Sequence, residues 1–130
     1  NQIGFMRTPD TKLSSRFEFS MMPANGGHIK PHTDTDNKII TLVISMHPND
    51  LDWKEEWGGG TALLQPKRPD EKLANHEAPF ESFNVVKSFA YQKNHCVIFI
   101  KSDNSWHGVL PMTGPENVMR KTITINIEQK

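Results

Sequence analysis

A mainly β domain, a jelly roll or barrel with few or no helices, is what this sequence predicts, and three observations carry that expectation. Nine prolines and 8 glycines cut the 130 residues into short segments. No amphipathic helical stripe persists beyond about two turns. About eight segments rich in β-branched and aromatic residues follow one another at short spacing, with neither repeat nor linker between them. The first strand is expected around Arg16 to Met22 (RFEFSMM), closed by the turn Pro23-Ala24-Asn25-Gly26-Gly27. A short extended segment, His28 to His32, leads into the polar run Thr33 to Asn37. Lys38 to Met46 (KIITLVISM) is the clearest strand, and its near-continuous β-branched run predicts burial on both faces. Asp50 to Glu56 reads as one helical turn before Gly58-Gly59-Gly60, which feeds the strand Thr61 to Leu64. Pro66 to Pro79 is a long polar excursion, and the span Lys67 to Ser82 is expected to act as a substrate lid because it is long, polar and set between two core strands. Phe83 to Ala90, His95 to Ile100, Ser105 to Leu110 and Arg120 to Ile127 complete the strand set.

The length fits one domain spanning residues 1–130. Lysines and arginines number 15 against 15 acidic residues, for a formal net charge of 0. That balance argues against nucleic acid and against a polybasic membrane surface, since both need a cationic excess. The single cysteine, Cys96, rules out an intrachain disulfide, a cysteine zinc site or an iron–sulfur cluster. Its place on an apolar strand predicts a buried thiol. With no run approaching the roughly 20 apolar residues of a membrane span and no signal-peptide block, the expected compartment is the reducing cytoplasm. Asn1 is not an initiator Met, which leaves room for a processed or partial chain.

Chemistry enters at His32-Thr33-Asp34. Residues i and i+2 of an extended segment project from one face, so His32 and Asp34 can grip one ion together. His107 follows 73 positions after Asp34, in Asn104-Ser105-Trp106-His107-Gly108-Val109. Two imidazoles and one carboxylate leave three adjacent positions open on an octahedral metal, the arrangement of non-haem Fe(II) oxygenases. A structural zinc would need a fourth ligand, and none is evident. Thirteen residues beyond His107 comes Arg120, heading a strand whose alternation puts Arg120, Thr122, Thr124 and Asn126 on one face and Ile123, Ile125 and Ile127 on the other. Such a polar row inside a barrel is costly unless it meets a polar ligand. A dicarboxylic acid reaching from the metal to the guanidinium fork would satisfy both ends.

Structural readings compete with these. His32 and Asp34 could cap backbone amides, His107 could be a half-buried core histidine, and Arg120 a surface partner of Glu116 or Glu128. His28, His47, His76 and His95 read as solvated or structural. Gly58-Gly59-Gly60 lacks the Lys-Ser/Thr and the following helix of a phosphate loop. Trp53 and Trp57 either stack on a substrate ring or clamp a loop.

The stretches FSMMPANGGHIKPHTD (Phe19 to Asp34), TLVISMHP (Thr41 to Pro48), WGGGTALL (Trp57 to Leu64), NHCVIFIKSDNSWHGVLPM (Asn94 to Met112) and RKTITIN (Arg120 to Asn126) resemble, in order, the Fe(II)- and 2-oxoglutarate-dependent dioxygenases of the prolyl-hydroxylase-like branch. The resemblance implies a double-stranded β-helix holding iron with His32, Asp34 and His107. It also implies 2-oxoglutarate bound at its keto acid end by the metal and at its far carboxylate by Arg120. Oxygen and 2-oxoglutarate would then give succinate, carbon dioxide and an oxidant that takes hydrogen from an aliphatic C–H, with ascorbate admitted as an accessory. The implied substrate is a small metabolite, an amino acid or a peptidyl residue. Related halogenases replace the ligand carboxylate with a small residue, so Asp34 favours hydroxylation.

Two departures shape the expectations. Tyrosines that such enzymes place on the early strands are replaced by Met22 and Ser45, and the only tyrosine, Tyr91, lies elsewhere. Ser45, Thr41 and Thr122 are the hydroxyls able to stand in near the co-substrate. Family members also carry helices before the first strand that buttress the larger sheet, whereas only about 15 residues precede it here; truncation, or cover by a homo-oligomer, is expected. The alternative function is a non-catalytic jelly-roll module that binds a metal or ligand without turnover.

Overall fold

The eight expected strands all form in a computed structural model that describes residues 10–69 and 77–130. They are β1 (Leu13–Pro23), β2 (Ile29–His32), β3 (Lys38–Ser45), β4 (Thr61–Pro66), β5 (Phe83–Phe89), β6 (Cys96–Ile100), β7 (His107–Val109) and β8 (Met119–Gln129). Among the described residues the helical elements are two single 3-10 turns, Glu55–Trp57 and Phe80–Ser82. The strands pair antiparallel into a larger sheet of order β1-β8-β3-β6 and a smaller one of order β2-β7-β4-β5. Apart from the β4–β5 hairpin, each strand is followed by one in the opposite sheet, which winds the chain into the jelly roll that the turn spacing predicts.

Register decides what each face of the larger sheet carries. Thr122 lies between Ser20 and Ser45, and Asn126 between Arg16 and Thr41, so polar groups meet polar groups on the side facing the smaller sheet. One residue along, Ile123 lies between Phe19 and Ile44, and Ile125 between Phe17 and Leu42. This second face looks outward. Phe17, Phe19, Met21, Ile98 and Ile100 are all exposed, Phe19 at 82%.

That outward face corrects two expectations. The apolar run of β3 is half-buried, with Thr41 its one buried residue, because Leu42 and Ile44 belong to the uncovered side. Cys96 is exposed rather than buried, since it pairs with Ile44 on the same side. The apolar core instead clusters on the smaller sheet, where Ala62, Leu64, Ala78, Phe83 and Trp106 pack together and the Phe83 and Trp106 rings lie 4.9 Å apart.

The excursion between β4 and β5 is pinned at its base by the Lys67 amide, which donates to Ser82 O at 2.8 Å. Its returning leg adds to the edge of β2, with Ala78 N donating to Pro31 O at 3.1 Å and Glu77 bridging to His32. The middle of the expected lid, 70–76 with His76, lies outside the described residues.

Candidate metal centre

β2 and β7 are neighbours, and their register sets His32 directly opposite His107. Gly108 permits this closeness: a Cβ there would stand 2.7 Å from Ile29 O. Asp34 sits two residues past the end of β2 and is 7% exposed, as is His107. Each imidazole has its Nδ1 against a backbone carbonyl, His32 to Lys30 O and His107 to Ser105 O, both at 2.9 Å. A carbonyl only accepts, so each Nδ1 donates and each Nε2 is left with its lone pair free. Both Nε2 atoms lie 3.8 Å from Asp34 Oδ1. The other carboxylate oxygen is engaged, for the buried Thr41 hydroxyl donates to Oδ2 at 2.8 Å. Lys38 Nζ approaches Oδ1 at 3.5 Å, and Phe99 stacks on His107 with ring centres 4.4 Å apart.

Electrostatics prepare Asp34 and His107 as ligands. Burial pushes the Asp34 carboxyl up, but the Thr41 hydrogen bond, together with His107, Lys38 and His32 close by, outweighs it and holds the group below its ordinary 3.8. Burial lowers the His107 imidazole, and His32 adds to this against the opposing pull of Ser105 O and Asp34. The result is an ionised carboxylate beside neutral imidazole, the protonation states a metal requires. Among the described residues, His32, Asp34 and His107 are the group of donors that could hold a metal, all within 4.8 Å of one another. Two nitrogens and one oxygen aimed at a common point, with the remaining donor atoms tied down, fit Fe(II) and leave ligand positions open.

A family model described as the 2OG-Fe(II) oxygenase superfamily matches residues 17–128. The chain belongs to this superfamily. Its fold is similar to that of a Pseudomonas putida prolyl-4-hydroxylase, with 18% identity, a TM-score of 0.55, and coverage of 94% of this chain and 55% of that one. The chain thus spans about half the length of that solved structure, and no curated protein matches it.

A cavity of about 550 Å³ runs between the sheets from the His-Asp-His group to Arg120, Thr122 and Thr124. Arg120 is 3% exposed. Its Nε donates to Gly59 O at 2.7 Å, and its guanidinium carbon lies 5.0 Å over the Tyr91 ring. Among the described residues no carboxylate pairs with it, and Glu128 pairs with Arg16 at 2.8 Å. Burial lowers the Arg120 pKa, yet a guanidinium stays protonated at any physiological pH. The competing reading of Arg120 as a surface partner of Glu116 or Glu128 is not what forms, and a buried cation lines the cavity.

The other expected residues divide. Thr122 is buried on the cavity wall. Ser45 is its register partner, but it is not among the residues lining the cavity. Thr41 spends its hydroxyl on Asp34, and Met22 stands opposite Arg120 on β1. Trp53 and Trp57 contact each other edge to face outside the cavity wall, which is the loop-clamp arrangement. His28 and His95 turn their Nδ1 atoms to local carbonyls, and His47 packs on Tyr91. Sequence reasoning missed Lys38, Phe99 and the roles of Thr41 and Tyr91. Lys38, four residues past Asp34 at the head of β3, was findable from spacing. Tyr91 was not, because its contact with Arg120 joins the β5–β6 connection to β8.

Proposed function

We propose that this domain is an Fe(II)- and 2-oxoglutarate-dependent dioxygenase that hydroxylates an aliphatic C–H of a small metabolite, an amino acid or a peptidyl residue. The observation that carries this reading is the pairing, across one cavity, of the His32-Asp34-His107 donor set with the buried, carboxylate-free Arg120. A buried guanidinium with no carboxylate partner is costly, and a bound carboxylate relieves that cost. His32, Asp34 and His107 would hold the metal, which supplies oxygen activation and the oxidising equivalent when bound. Arg120 would take the far carboxylate of 2-oxoglutarate through its free Nη atoms, with the Thr122 hydroxyl beside it and Ser45 behind. Thr41 keeps Oδ2 of Asp34 occupied, so that Oδ1 is presented to the metal.

This reading treats residues 1–130 as one domain. It places the protein in the cytoplasm, which suits an exposed free thiol; among the described residues no helix is long and apolar enough to cross a membrane. It also has the exposed outer face of the larger sheet covered in a homo-oligomer, with ascorbate serving as an accessory reductant. A succinate-release screen over amino acids, peptides and sugars with Fe(II), oxygen and 2-oxoglutarate tests the function. Substrate-dependent succinate supports it. Tight binding of redox-silent zinc with no effect of 2-oxoglutarate would identify a binding module instead.

A further inference from the structure

We propose that Tyr91 is a positioning residue for Arg120, its ring face setting the direction in which the guanidinium presents itself to the far carboxylate of 2-oxoglutarate. The proposal rests on Arg120 being that anchor.

The geometry behind it is a two-sided cradle. Gly59 O takes the Nε hydrogen of Arg120, so the guanidinium plane is fixed on one edge. The ring of Tyr91, 4% exposed, lies with its centre 5.0 Å from the guanidinium carbon, so the guanidinium is covered on one side. The ring is itself immobilised at both ends. Its hydroxyl donates to Lys121 O at 2.7 Å and accepts from Lys121 N at 3.1 Å, fastening it to the residue after Arg120. At its other end Trp53 packs edge to face at 4.6 Å, while the Trp53 indole donates to Gly58 O at 2.9 Å and so fixes the turn that carries Gly59. Gly59 adopts φ +85°, and a Cβ there would stand 3.0 Å from Trp53, 3.1 Å from Met112 and 3.5 Å from the Arg120 side chain. What remains without a partner among the described residues is the Nη pair of a side chain that lines the cavity. A guanidinium held over an aromatic face keeps its fork for a carboxylate while losing the freedom to swing away, so less entropy is lost on binding. With the Tyr91 hydroxyl committed to Lys121, the ring face is the part of this tyrosine that serves the anchor.

The test separates a far carboxylate from a keto acid end. The chain has 1 tyrosine, so 3-fluorotyrosine labelling gives one fluorine resonance. With Zn(II) in place of iron, saturating 2-oxoglutarate should shift that resonance, whereas 2-oxopentanoate, which has the same keto acid end and no far carboxylate, should leave it in place. Tyr91→Leu should weaken 2-oxoglutarate binding about tenfold and leave 2-oxopentanoate affinity unchanged. Tyr91→Phe should retain the preference for the diacid. Equal loss on both acids, no loss on 2-oxoglutarate, or failure of Tyr91→Phe to retain the preference would overturn the proposal. Should Tyr91→Leu not fold, a fluorine resonance unmoved by 2-oxoglutarate overturns it alone. Arg120→Ala distinguishes the two levels. If it leaves the preference for the diacid intact, the anchor itself is misassigned. If it erases the preference while Tyr91→Leu keeps it, the anchor stands and the role of Tyr91 falls.

Discussion

The two faces of the larger sheet invert the usual order of a soluble β protein. Toward the smaller sheet, β8 presents Arg120, Thr122 and Asn126, all buried at 3% exposure or less. Away from it, the same sheet presents Phe17, Phe19, Met21 and Ile98 to solvent. A half-buried antiparallel sheet normally hides its apolar face and wets its polar one. The inversion teaches that polar groups line the inner side of this sheet, while its outer face leaves apolar side chains exposed. Hence the inner residues should be sensitive in function and the outer ones tolerant, apart from association.

The largest effects belong on the inner side, at the metal. His32→Ala or His107→Ala should abolish succinate formation, a loss of at least about 100-fold, because two remaining donors do not hold Fe(II) against water. Iron content after anaerobic loading reports the same loss without relying on turnover. Next comes Arg120→Ala, which should raise the 2-oxoglutarate requirement by about two orders of magnitude and leave iron binding nearly intact, since a bidentate charge-assisted pair is worth roughly 2–4 kcal/mol. Arg120→Lys should fall between, keeping the charge and losing the fork. Thr41→Val should weaken metal binding by about tenfold, because it frees Asp34 Oδ2 and lets the carboxylate turn. Metal titrations of the variant measure it.

A smaller effect appears in the pH dependence of metal-free stability. Burial holds His107 below its ordinary 6.5, so between the folded and unfolded values the unfolded chain carries the extra proton. Stability is therefore full above about pH 6.5 and falls as pH drops toward the folded value. Asp34, held below 3.8, acts in the same direction further down, its contribution present above 3.8 and lost as acid protonates it in the fold. Urea melts across this range should show the upper decline, and His107→Gln should flatten it. The smallest effect on stability belongs outside. Phe19→Lys, at 82% exposure, should change unfolding free energy by no more than about 0.5 kcal/mol. Light scattering should nevertheless show reduced self-association, and a large stability loss would mean the outer face packs against something within the fold.

Much of this inversion was legible in the alternation of β8, because a period of two sorts Arg120, Thr122, Thr124 and Asn126 from the isoleucines without reference to any other strand. The metal group was legible for a similar local reason, His32 and Asp34 being two apart on one extended segment. What the chain did not disclose was exposure. The β-branched run of β3 reads the same whether its outer side is covered or bare, so Leu42, Ile44 and the neighbouring Cys96 were expected inside. Nor did it disclose which hydroxyl goes where. Ser45, Thr41 and Thr122 share a face by parity, and the loop holding Asp34 is what turns Thr41 to the carboxylate. Tyr91 meets Arg120 through folding alone.

The central claim is that one cavity joins a three-ligand iron site to a carboxylate anchor at Arg120. An anaerobic titration of the Fe(II)-loaded protein with 2-oxoglutarate addresses it most directly, since chelation by the keto acid end gives a weak visible charge-transfer band. The band should rise to saturation at one equivalent, need about 100-fold more 2-oxoglutarate in Arg120→Ala, and vanish in His107→Ala. No band at saturating 2-oxoglutarate in an iron-loaded wild-type protein, or a titration that Arg120→Ala leaves unchanged, would contradict the account.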